Sequence, residues 1–235
     1  MNLFAFTFVW DHIGIFGAEN SMSYREKPFV VGVGGGSGSG KTTFLALLTR
    51  QLGPNNCTCI NLDHYYRTLA EQPRDAQGEV NFDLPECIDH EAFLTDFRQL
   101  CNGNEVFKKE YTFNQADKKP ENIRLLPKPV LLVEGLFLFH FREIMDLLQL
   151  KVFLEAPDEL RLIRRIARDG IERGYPENVV RYQWEYHVRP AFDSFIYPHL
   201  PECDLIIPHS RDNYVAVDVI STYINQKIEW KTVSV

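Results

Sequence analysis

The sequence predicts an α/β fold built on a mainly parallel sheet. Short apolar, β-branched segments alternate along the chain with longer segments whose apolar residues recur at helical spacing, which is the pattern of strand–helix–strand units. One of these units also has a glycine-rich turn between its strand and its helix. The chain of 235 residues is 45% hydrophobic and 24% charged, as is typical of globular proteins, and we expect residues 23–235 to form a single domain.

The residues before this domain, 1–22, are largely apolar and aromatic, contain Asp11 and His12, and include no lysine or arginine. A secretory signal peptide begins with a basic region, so this stretch is a poor candidate for one. We expect either a packed N-terminal arm or a start codon that has been assigned upstream of Met22.

Five segments are short, apolar and β-branched, and we expect them to be strands: residues 29–33, 59–62, 130–133, 151–154 and 205–207. Helical spacing predicts helices at 43–52, 141–148, 158–173 and 212–223. A further helix is expected to begin at Asp89 as its N-cap, with Phe93, Phe97 and Leu100 on one face. The polar segment 105–126 interrupts the alternation, and its short alternating runs predict a β-hairpin flap between a helix and a strand.

Charge and cysteine content restrict the partners and the environment of the protein. The net charge is −7, so we expect no nucleic-acid partner, because that function needs a basic surface. No apolar run reaches the ~18 residues that cross a bilayer, so we expect no membrane partner. The five cysteines are an odd number in a chain too large to need disulfides, which indicates reduced thiols and a cytoplasmic location. Cys57 and Cys59 do not form a CxxC pair, and we expect no metal site on them.

The strongest motif is GGSGSGKT, which matches the pattern GxxxxGK[ST] in full. Its glycines allow successive backbone N–H groups to face one concave surface, and the following helix points the positive end of its dipole at the same place. The lysine supplies a positive charge to the β- and γ-phosphates, and the threonine hydroxyl is a ligand for Mg²⁺. We therefore expect a nucleoside triphosphate at Gly35, Gly36, Ser37, Gly38, Ser39, Gly40, Lys41, Thr42 and Thr43.

Three classes of protein use such a phosphate loop, and the rest of the chain favours a small-molecule kinase. A GTPase needs a DxxG motif after the loop and an NKxD motif, but residues 11–14 (DHIG) precede the loop and no NKxD is present. Motor and AAA-type ATPases usually end the metal-binding strand in Asp-Glu, whereas the predicted strand 130–133 is followed by the single Glu134. A small-molecule kinase tolerates one acidic residue there.

Asp63 closes the predicted strand that follows the phosphate-binding unit. The carboxyl ends of parallel strands meet at the edge where ligands bind, so we expect Asp63 near the phosphates. A carboxylate there can accept the proton of an attacking hydroxyl, or bind Mg²⁺ through water. The alternative is an ordinary aspartate that ends a strand or caps a helix.

The predicted helix 158–173 carries five arginines: Arg161, Arg164, Arg165, Arg168 and Arg173. The first, third and fourth of these fall at i, i+4 and i+7, on one face. We expect a lid, residues 161–175, whose guanidinium groups stabilise charge on the transferred phosphoryl group, with Gly170 and Gly174 allowing it to move. The alternative is a solvated face whose arginines pair with Glu159 and Asp169.

Six segments, taken in order, resemble the uridine kinase (uridine-cytidine kinase) family of P-loop kinases. They are the phosphate loop, 62–67 (LDHYYR), 80–85 (VNFDLP), 133–135 (VEG), 164–169 (RRIARD) and 172–174 (ERG). Only the phosphate loop is specific by itself, but the ordered set is highly specific and spans residues 29–220. The resemblance implies a five-stranded, mainly parallel sheet flanked by helices, with the flap covering the substrate.

The resemblance also implies an activity: ATP-dependent phosphorylation of the 5′-hydroxyl of uridine or cytidine, in pyrimidine salvage. Lys41 and the loop then hold the phosphates of ATP, with GTP as an alternative donor, and Thr42, Asp63 and Glu134 surround Mg²⁺. Asp63 is the base for the 5′-hydroxyl. The lid contributes Arg168 and Arg173, and the nucleoside is bound by Tyr66, Asp83, Tyr111, Arg165 and Gln183. The family further implies a homotetramer.

The substrate residues also have simpler interpretations. Tyr66 and Tyr111 could be core or surface aromatics. Asp83 could form a turn before Pro85, and Gln183 could be a solvated helix residue.

The chain departs from the family pattern where the base is bound. Ala116 stands at the usual histidine and Tyr175 at the usual second arginine, with Asn114, Gln115 and His64 as the available substitutes. Phosphoryl transfer and ribose binding are therefore better supported than recognition of the base. Two alternative functions follow: a related P-loop kinase for a phosphorylated sugar or pantothenate, and a regulatory protein that binds ATP without transferring phosphate.

Overall fold

The computed structural model describes residues 27–112, 119–208 and 213–233, with side chains up to residue 228. The expected N-terminal arm and the position of Ala116 lie outside these ranges. The strands of the described residues are β1 (Phe29–Gly34), β2 (Cys57–Asn61), β3 (Val106–Lys109), β4 (Asn122–Leu125), β5 (Val130–Glu134), β6 (Leu150–Glu155) and β7 (Leu205–Pro208). Five of them form one parallel sheet in the order β2-β5-β1-β6-β7, which confirms the predicted fold class.

Helices cover both faces of this sheet. They are α1 (Lys41–Leu52), α2 (His90–Cys101), α3 (Arg142–Met145), α4 (Asp158–Glu172), α5 (Glu177–Gln183), α6 (Arg189–Ala191) and α7 (Tyr214–Val233). Two π-helical turns, Trp184–Val188 and Phe192–Ile196, lie on either side of α6. Helical structure therefore runs without a break from Glu177 to Ile196.

The sheet divides the apolar core into two clusters because side chains alternate along its strands. In β5, Leu131 and Val133 face the cluster formed with α2 and α3. Val130 and Leu132 face the cluster formed with α1 and α7. All four side chains are at most 2% exposed, so the sheet is covered on both faces, as expected for parallel strands.

The predicted elements are present and most of their bounds agree within two residues, but three differences matter for the structure. The segment 141–148 contains only one helical turn, α3, because Gln149 binds the backbone of Val30 through both its N–H and its side chain, which draws the chain onto the sheet. The helix predicted at 212–223 begins at Tyr214 in the described residues and continues to Val233. β2 ends at Asn61, so Asp63 lies in the next 3₁₀ turn, Leu62–Tyr65.

The strand register brings the predicted site to one edge of the sheet. Glu134, the last residue of β5, is level with Val33 of β1 on one side and Asn61 of β2 on the other. The phosphate loop follows β1 directly, and Asp63 follows Asn61 by two residues. Parallel pairing therefore gathers three functional segments that are far apart in the sequence.

The predicted flap is an antiparallel hairpin of β3 and β4, in which Val106 pairs with Leu125 and Lys109 with Asn122. Lys108 anchors it, because its ammonium group lies 3.1 Å from the ring centroid of Tyr65. Burial lowers the pKa of Lys108 to about 8. The outer end of the flap, 113–118, lies outside the described residues.

All five cysteines lie within the described residues, and none of them is in a disulfide. Among the described helices, none combines the length and the apolar character that a membrane span requires.

The N-cap of α2 allows a test of local stability. The Asp89 side chain accepts a hydrogen bond of 3.1 Å from the backbone N–H of Ala92. Asp89→Ala should lower the free energy of unfolding by ~1 kcal/mol, because that N–H loses its acceptor. Asp89→Asn keeps an acceptor oxygen and serves as the control. Urea denaturation of both variants measures the difference, and equal stability of the alanine variant and the wild type would contradict the role of the cap.

Candidate active site

The phosphate loop forms a tight turn against the start of α4. Gly38 has a φ of 76°, a conformation that residues with a Cβ rarely adopt. A Cβ at Gly38 would also overlap the backbone carbonyl of Arg161, and a Cβ at Gly36 would overlap the Arg161 guanidinium. The loop therefore requires glycine both for its conformation and for its close contact with α4.

Lys41 begins α1, as the motif predicts, and its side chain lies back across the loop. Its Nζ donates hydrogen bonds of 3.1 Å to the carbonyls of Gly35 and Gly36. Burial lowers the pKa of Lys41, while the nearby carboxylates of Glu134 and Asp63 act to raise it. The ammonium group is thus placed at the mouth of the loop, beside two carboxylates. Thr43, the last predicted loop residue, is exposed on α1.

Thr42 and Glu134 form a contact between α1 and β5. Thr42 Oγ1 donates a hydrogen bond of 3.1 Å to Glu134 Oε1. Glu134 is 7% exposed, and burial, together with repulsion from Asp63, raises its pKa to about 7, although Lys41 opposes the shift. A cation bound beside Glu134 would stabilise the ionised carboxylate, which burial disfavours.

These oxygen ligands fit Mg²⁺. Asp63, Glu134 and Thr42 provide only hard oxygen atoms, which Mg²⁺ prefers. Among the described residues, no group of three His, Cys, Asp or Glu side chains is close enough to hold a metal ion by itself. Mg²⁺ at this site would therefore need phosphate oxygens as further ligands, as is usual for Mg²⁺ in phosphoryl-transfer sites.

Asp83 and Arg165 form a buried ion pair beside the phosphate loop. Arg165 Nη1 and Nη2 donate to the two carboxylate oxygens of Asp83 at 3.1 and 3.3 Å. Arg165 also donates to Ser37 Oγ at 3.1 Å and to Gln183 Oε1 at 3.2 Å. Burial lowers the pKa of Arg165, but the carboxylates of Asp83 and Asp169 outweigh it and raise the pKa overall. The structure therefore brings together three of the predicted substrate residues.

The first half of the predicted lid is packed into the protein. Arg161 is 1% exposed; it pairs with Asp158 at 2.5 Å, and its guanidinium lies 4.0 Å from the ring centroid of Phe192. Arg164 donates to the carbonyl of Gly38 at 3.3 Å. Arg161 and Arg165 therefore do not lie on a solvated face, although the pairing with Asp169 that this alternative included is present for Arg165 at 3.2 Å. Gly170, expected as a flank of the lid, lies inside α4.

Asp169, which was not among the predicted site residues, organises the second half of α4. It is fully buried, and it pairs with Arg165 at 3.2 Å, Arg168 at 2.8 Å and Arg173 at 3.4 Å. Desolvation acts to raise its pKa, but the surrounding arginines lower it. The signal was present in the sequence, because Arg165, Asp169 and Arg173 are spaced at i, i+4 and i+8 on one helix face.

Aromatic rings connect the flap to the segment that follows β2. Tyr66 stacks on Tyr111 with ring centroids 5.3 Å apart, and it meets the edge of Phe82 at 6.3 Å. The backbone N–H of Tyr111 donates to His64 Nδ1 at 3.4 Å. Burial raises the pKa of Tyr66, and the carboxylates of Asp63 and Asp83 add to the shift. The Tyr66 ring is therefore close to both of these carboxylates.

The fold and this site define a P-loop kinase. The sequence model described as "Phosphoribulokinase / Uridine kinase family" matches residues 30–216. The chain belongs to the phosphoribulokinase/uridine kinase family, which agrees with the resemblance found in the sequence.

Relatives match most of the chain. It is 34% identical over 212 residues to uridine-cytidine kinase B of Dictyostelium discoideum, covering 90% of this chain and 87% of the relative. It is 37% identical over 208 residues to uridine kinase of Deinococcus deserti, covering 88% of this chain and 100% of the relative. The solved structure of phosphoribulokinase from Rhodobacter spheroides shares the fold, with a TM-score of 0.55, 19% identity and coverage of 80% of this chain and 74% of that chain.

The contact between Gly36 and Arg161 predicts the effect of a single added methyl group. Gly36→Ala should reduce the affinity for a nucleoside triphosphate by about ten- to a hundredfold, because the Cβ would overlap the Arg161 guanidinium, which is buried and has little room to shift. Isothermal titration calorimetry with a non-hydrolysable ATP analogue measures this loss. In the control Gly170→Ala, the nearest atom to the new Cβ is the Tyr175 carbonyl oxygen at 3.8 Å. Wild-type affinity in Gly36→Ala would refute the tight packing.

Proposed function

We propose that the protein transfers the γ-phosphate of ATP to the 5′-hydroxyl of a pyrimidine ribonucleoside, uridine or cytidine. One observation carries the proposal: the phosphate loop with Lys41, Asp63 and Glu134 at the sheet edge lies next to the buried pair of Asp83 and Arg165. The first set suits a triphosphate and an attacking hydroxyl, and the second suits a sugar. The names of the relatives, uridine-cytidine kinase and uridine kinase, support the choice of nucleoside.

Asp83 and Arg165 are proposed to bind the ribose 2′- and 3′-hydroxyls. A carboxylate has two oxygens that accept hydrogen bonds, so it matches the two donors of a vicinal diol. Arg165 holds this carboxylate through both of its terminal nitrogens, which fixes the direction of the acceptor oxygens. Because Asp83 is 5% exposed, a substrate without these hydroxyls leaves a buried charge poorly satisfied.

In the proposed reaction, Asp63 accepts the proton of the 5′-hydroxyl as the oxygen attacks the γ-phosphorus in line. The bond from the γ-phosphorus to the bridging oxygen of ATP breaks at the same time, and ADP leaves. Lys41 stabilises the charge on the phosphate oxygens, and Arg168 and Arg173 do so from the end of α4. Mg²⁺, when bound by Thr42, Asp63 and Glu134, supplies further charge stabilisation to the phosphates. The lid movement is confined to the end of α4, because Arg161 and Arg165 are buried.

The base is proposed to lie near the stacked rings of Tyr66 and Tyr111, with Gln183 at its edge. Tyr66 presents an apolar face beside the carboxylates that bind the sugar. Tyr175 donates its backbone N–H to the carbonyl of Asp169 at 3.1 Å, so this position contributes to the end of α4 through its backbone. GTP is an alternative phosphate donor.

The cellular setting is also proposed from the family. We propose a role in pyrimidine salvage, in the cytoplasm, as a homotetramer. The five unpaired cysteines suit a reducing compartment. Light scattering coupled to size-exclusion chromatography measures the oligomeric state directly.

The role of Asp63 predicts a selective loss of turnover. Asp63→Asn should lower kcat by about 10²–10⁴-fold, because the amide cannot accept the proton of the attacking hydroxyl. Affinity for ATP measured without Mg²⁺ should stay near that of the wild type, since Lys41 and the loop are unchanged. Steady-state kinetics with uridine, together with the melting temperature of the variant, tests this, and near-normal turnover would remove Asp63 from the proposed role.

A panel of acceptors tests the substrate class and the sugar site together. The kcat/KM for uridine and cytidine should exceed that for purine nucleosides, phosphorylated sugars and pantothenate. The kcat/KM for 2′-deoxyuridine should be about ten- to a hundredfold lower than that for uridine. In Asp83→Asn the preference for uridine over 2′-deoxyuridine should shrink. Transfer to a sugar phosphate or pantothenate instead would indicate a related kinase. Tight ATP binding with no product from any acceptor would indicate a regulatory protein.

A further inference from the structure

A second set of contacts joins the segment that carries Asp83 to the helix that carries Gln183. The segment folds as a small turn ahead of Asp83, in which Arg74 pairs with Val80. Within the turn, the backbone N–H of Asp75 donates to Glu79 O at 2.9 Å, and that of Gly78 donates to Asp75 O at 3.0 Å. The turn is therefore a compact unit with Asp75 at its base.

The carboxylate of Asp75 uses its two oxygens for different purposes. Oδ1 accepts hydrogen bonds of 2.9 Å from the backbone N–H groups of Gln77 and Glu79, and so stabilises the turn. Oδ2 points to the helical side and accepts from Tyr182 Oη at 2.7 Å, with His187 Nε2 at 2.8 Å. The hydrogen bond from Tyr182 is the main reason that the pKa of Asp75 is lowered. One oxygen thus holds the turn together and the other attaches it to a helix.

His187 makes its polar contact with Asp75 from a buried position. It lies in the π-helical turn Trp184–Val188 and is 2% exposed. Its Nδ1 is buried and has no hydrogen-bond partner among the described residues, so its polar contact is with Asp75 through Nε2. A buried polar group is costly unless it is paired, which makes the contact with Asp75 important for keeping this ring in place.

The same two segments are joined a second time at the substrate site. Arg165 binds Asp83 on one segment and Gln183 on the other. Asn81 connects the two attachments, because its N–H donates to Pro73 O at 2.9 Å and its side chain accepts from the Asp83 N–H at 2.9 Å. Tyr182 directly precedes Gln183 in the chain. A shift of the turn relative to α5 would therefore move Asp83 relative to Gln183.

We propose that Asp75, Tyr182 and His187 are positioning residues that clamp the turn onto the helix and so set the distance between Asp83 and Gln183 for the nucleoside. The inference rests on the proposed function, since it assigns these residues to the substrate side of that site. In the described structure, the hydrogen bonds of these three side chains are with one another and with the turn, away from the phosphate loop. The clamp therefore acts on nucleoside binding and leaves the phosphoryl-transfer residues at the sheet edge unchanged.

The kinetic test uses a variant that loses the contacts between the turn and the helix but keeps the contacts within the turn. In the double variant Tyr182→Phe/His187→Phe, both donors to Asp75 Oδ2 are lost, while the Oδ1 contacts within the turn remain. The KM for uridine should rise about ten- to a hundredfold, as expected when donors to a charged acceptor are lost, with kcat and the KM for ATP within about twofold. The single variant His187→Gln keeps Tyr182 and places an amide donor near Asp75, so its KM for uridine should lie close to the wild-type value.

The control removes an ion pair from the same helix. Glu177→Gln breaks the exposed pair of Glu177 and Arg181, 2.7 Å apart on α5, and should leave all kinetic constants near the wild type. If the double variant folds poorly, Tyr182→Phe alone should raise the KM for uridine by a smaller factor. An unchanged KM for uridine, or an equal loss in kcat and in the KM for ATP, would overturn the proposal.

A second measurement does not depend on activity. Hydrogen–deuterium exchange should increase in peptides covering residues 73–84 of the double variant, relative to the wild type and Glu177→Gln, and stay constant in peptides of α1. Unchanged exchange over 73–84 would overturn the clamp even if kinetics changed. A wild type that phosphorylates no nucleoside would refute the proposed function, while the exchange pattern still decides whether the clamp exists.

Discussion

The guanidinium group of Arg165 is the point at which the parts of the candidate site meet. It binds Ser37 of the phosphate loop, Asp83 of the segment before α2, and Gln183 of α5, and it pairs with Asp169 one turn further along α4. A single planar cation of α4 therefore holds three other segments, two of which are more than 80 residues away in the sequence. A guanidinium suits this position because it presents five donors in fixed directions and stays charged when buried. A lysine could not bind four acceptors in one plane.

Burying this many charges is costly, and the structure limits the cost by pairing them. Asp169 has no exposed surface and is surrounded by Arg165, Arg168 and Arg173. A buried ion pair contributes little net stability, but removal of one partner leaves an uncompensated charge. The network is therefore better understood as a device for fixing geometry than as a source of stability. A site that binds a triphosphate needs such a device, because its cations would repel one another without buried carboxylates between them.

The two sides of the site depend on different constraints. At the sheet edge, hydrogen bonding between parallel strands places Glu134 level with Val33 and Asn61, so the proposed catalytic side is set by the register of the sheet. Around Asp83, the proposed substrate side is built from loop segments that side chains attach to α4 and α5. Arg165 and Asp75 make these attachments. The substrate side is consequently the part that small changes in sequence can alter while the phosphate-binding side stays intact.

Much of the fold could be predicted from the sequence, because it depends on local patterns. Alternating apolar strands and amphipathic helices predicted the parallel sheet, and the spacing of glycines predicted the phosphate loop. Asp63 and Glu134 could be identified because each lies at or just beyond a strand end, and strand ends meet at one edge in this class of fold. These features are encoded by residues that are neighbours in the chain.

Side-chain contacts between distant segments could not be predicted from local sequence patterns. Nothing local distinguishes the buried Arg161, which packs on Phe192, from a solvated arginine on the same helix. Asp169 was taken for a surface partner, although it is the buried centre of the arginine cluster. The attachment of Asp75 to His187 spans 112 residues and appears only once the helices have packed. The sequence by itself determined the class of fold and the phosphate-binding chemistry, whereas tertiary packing decided which charges are buried, since burial depends on neighbours that local sequence does not specify.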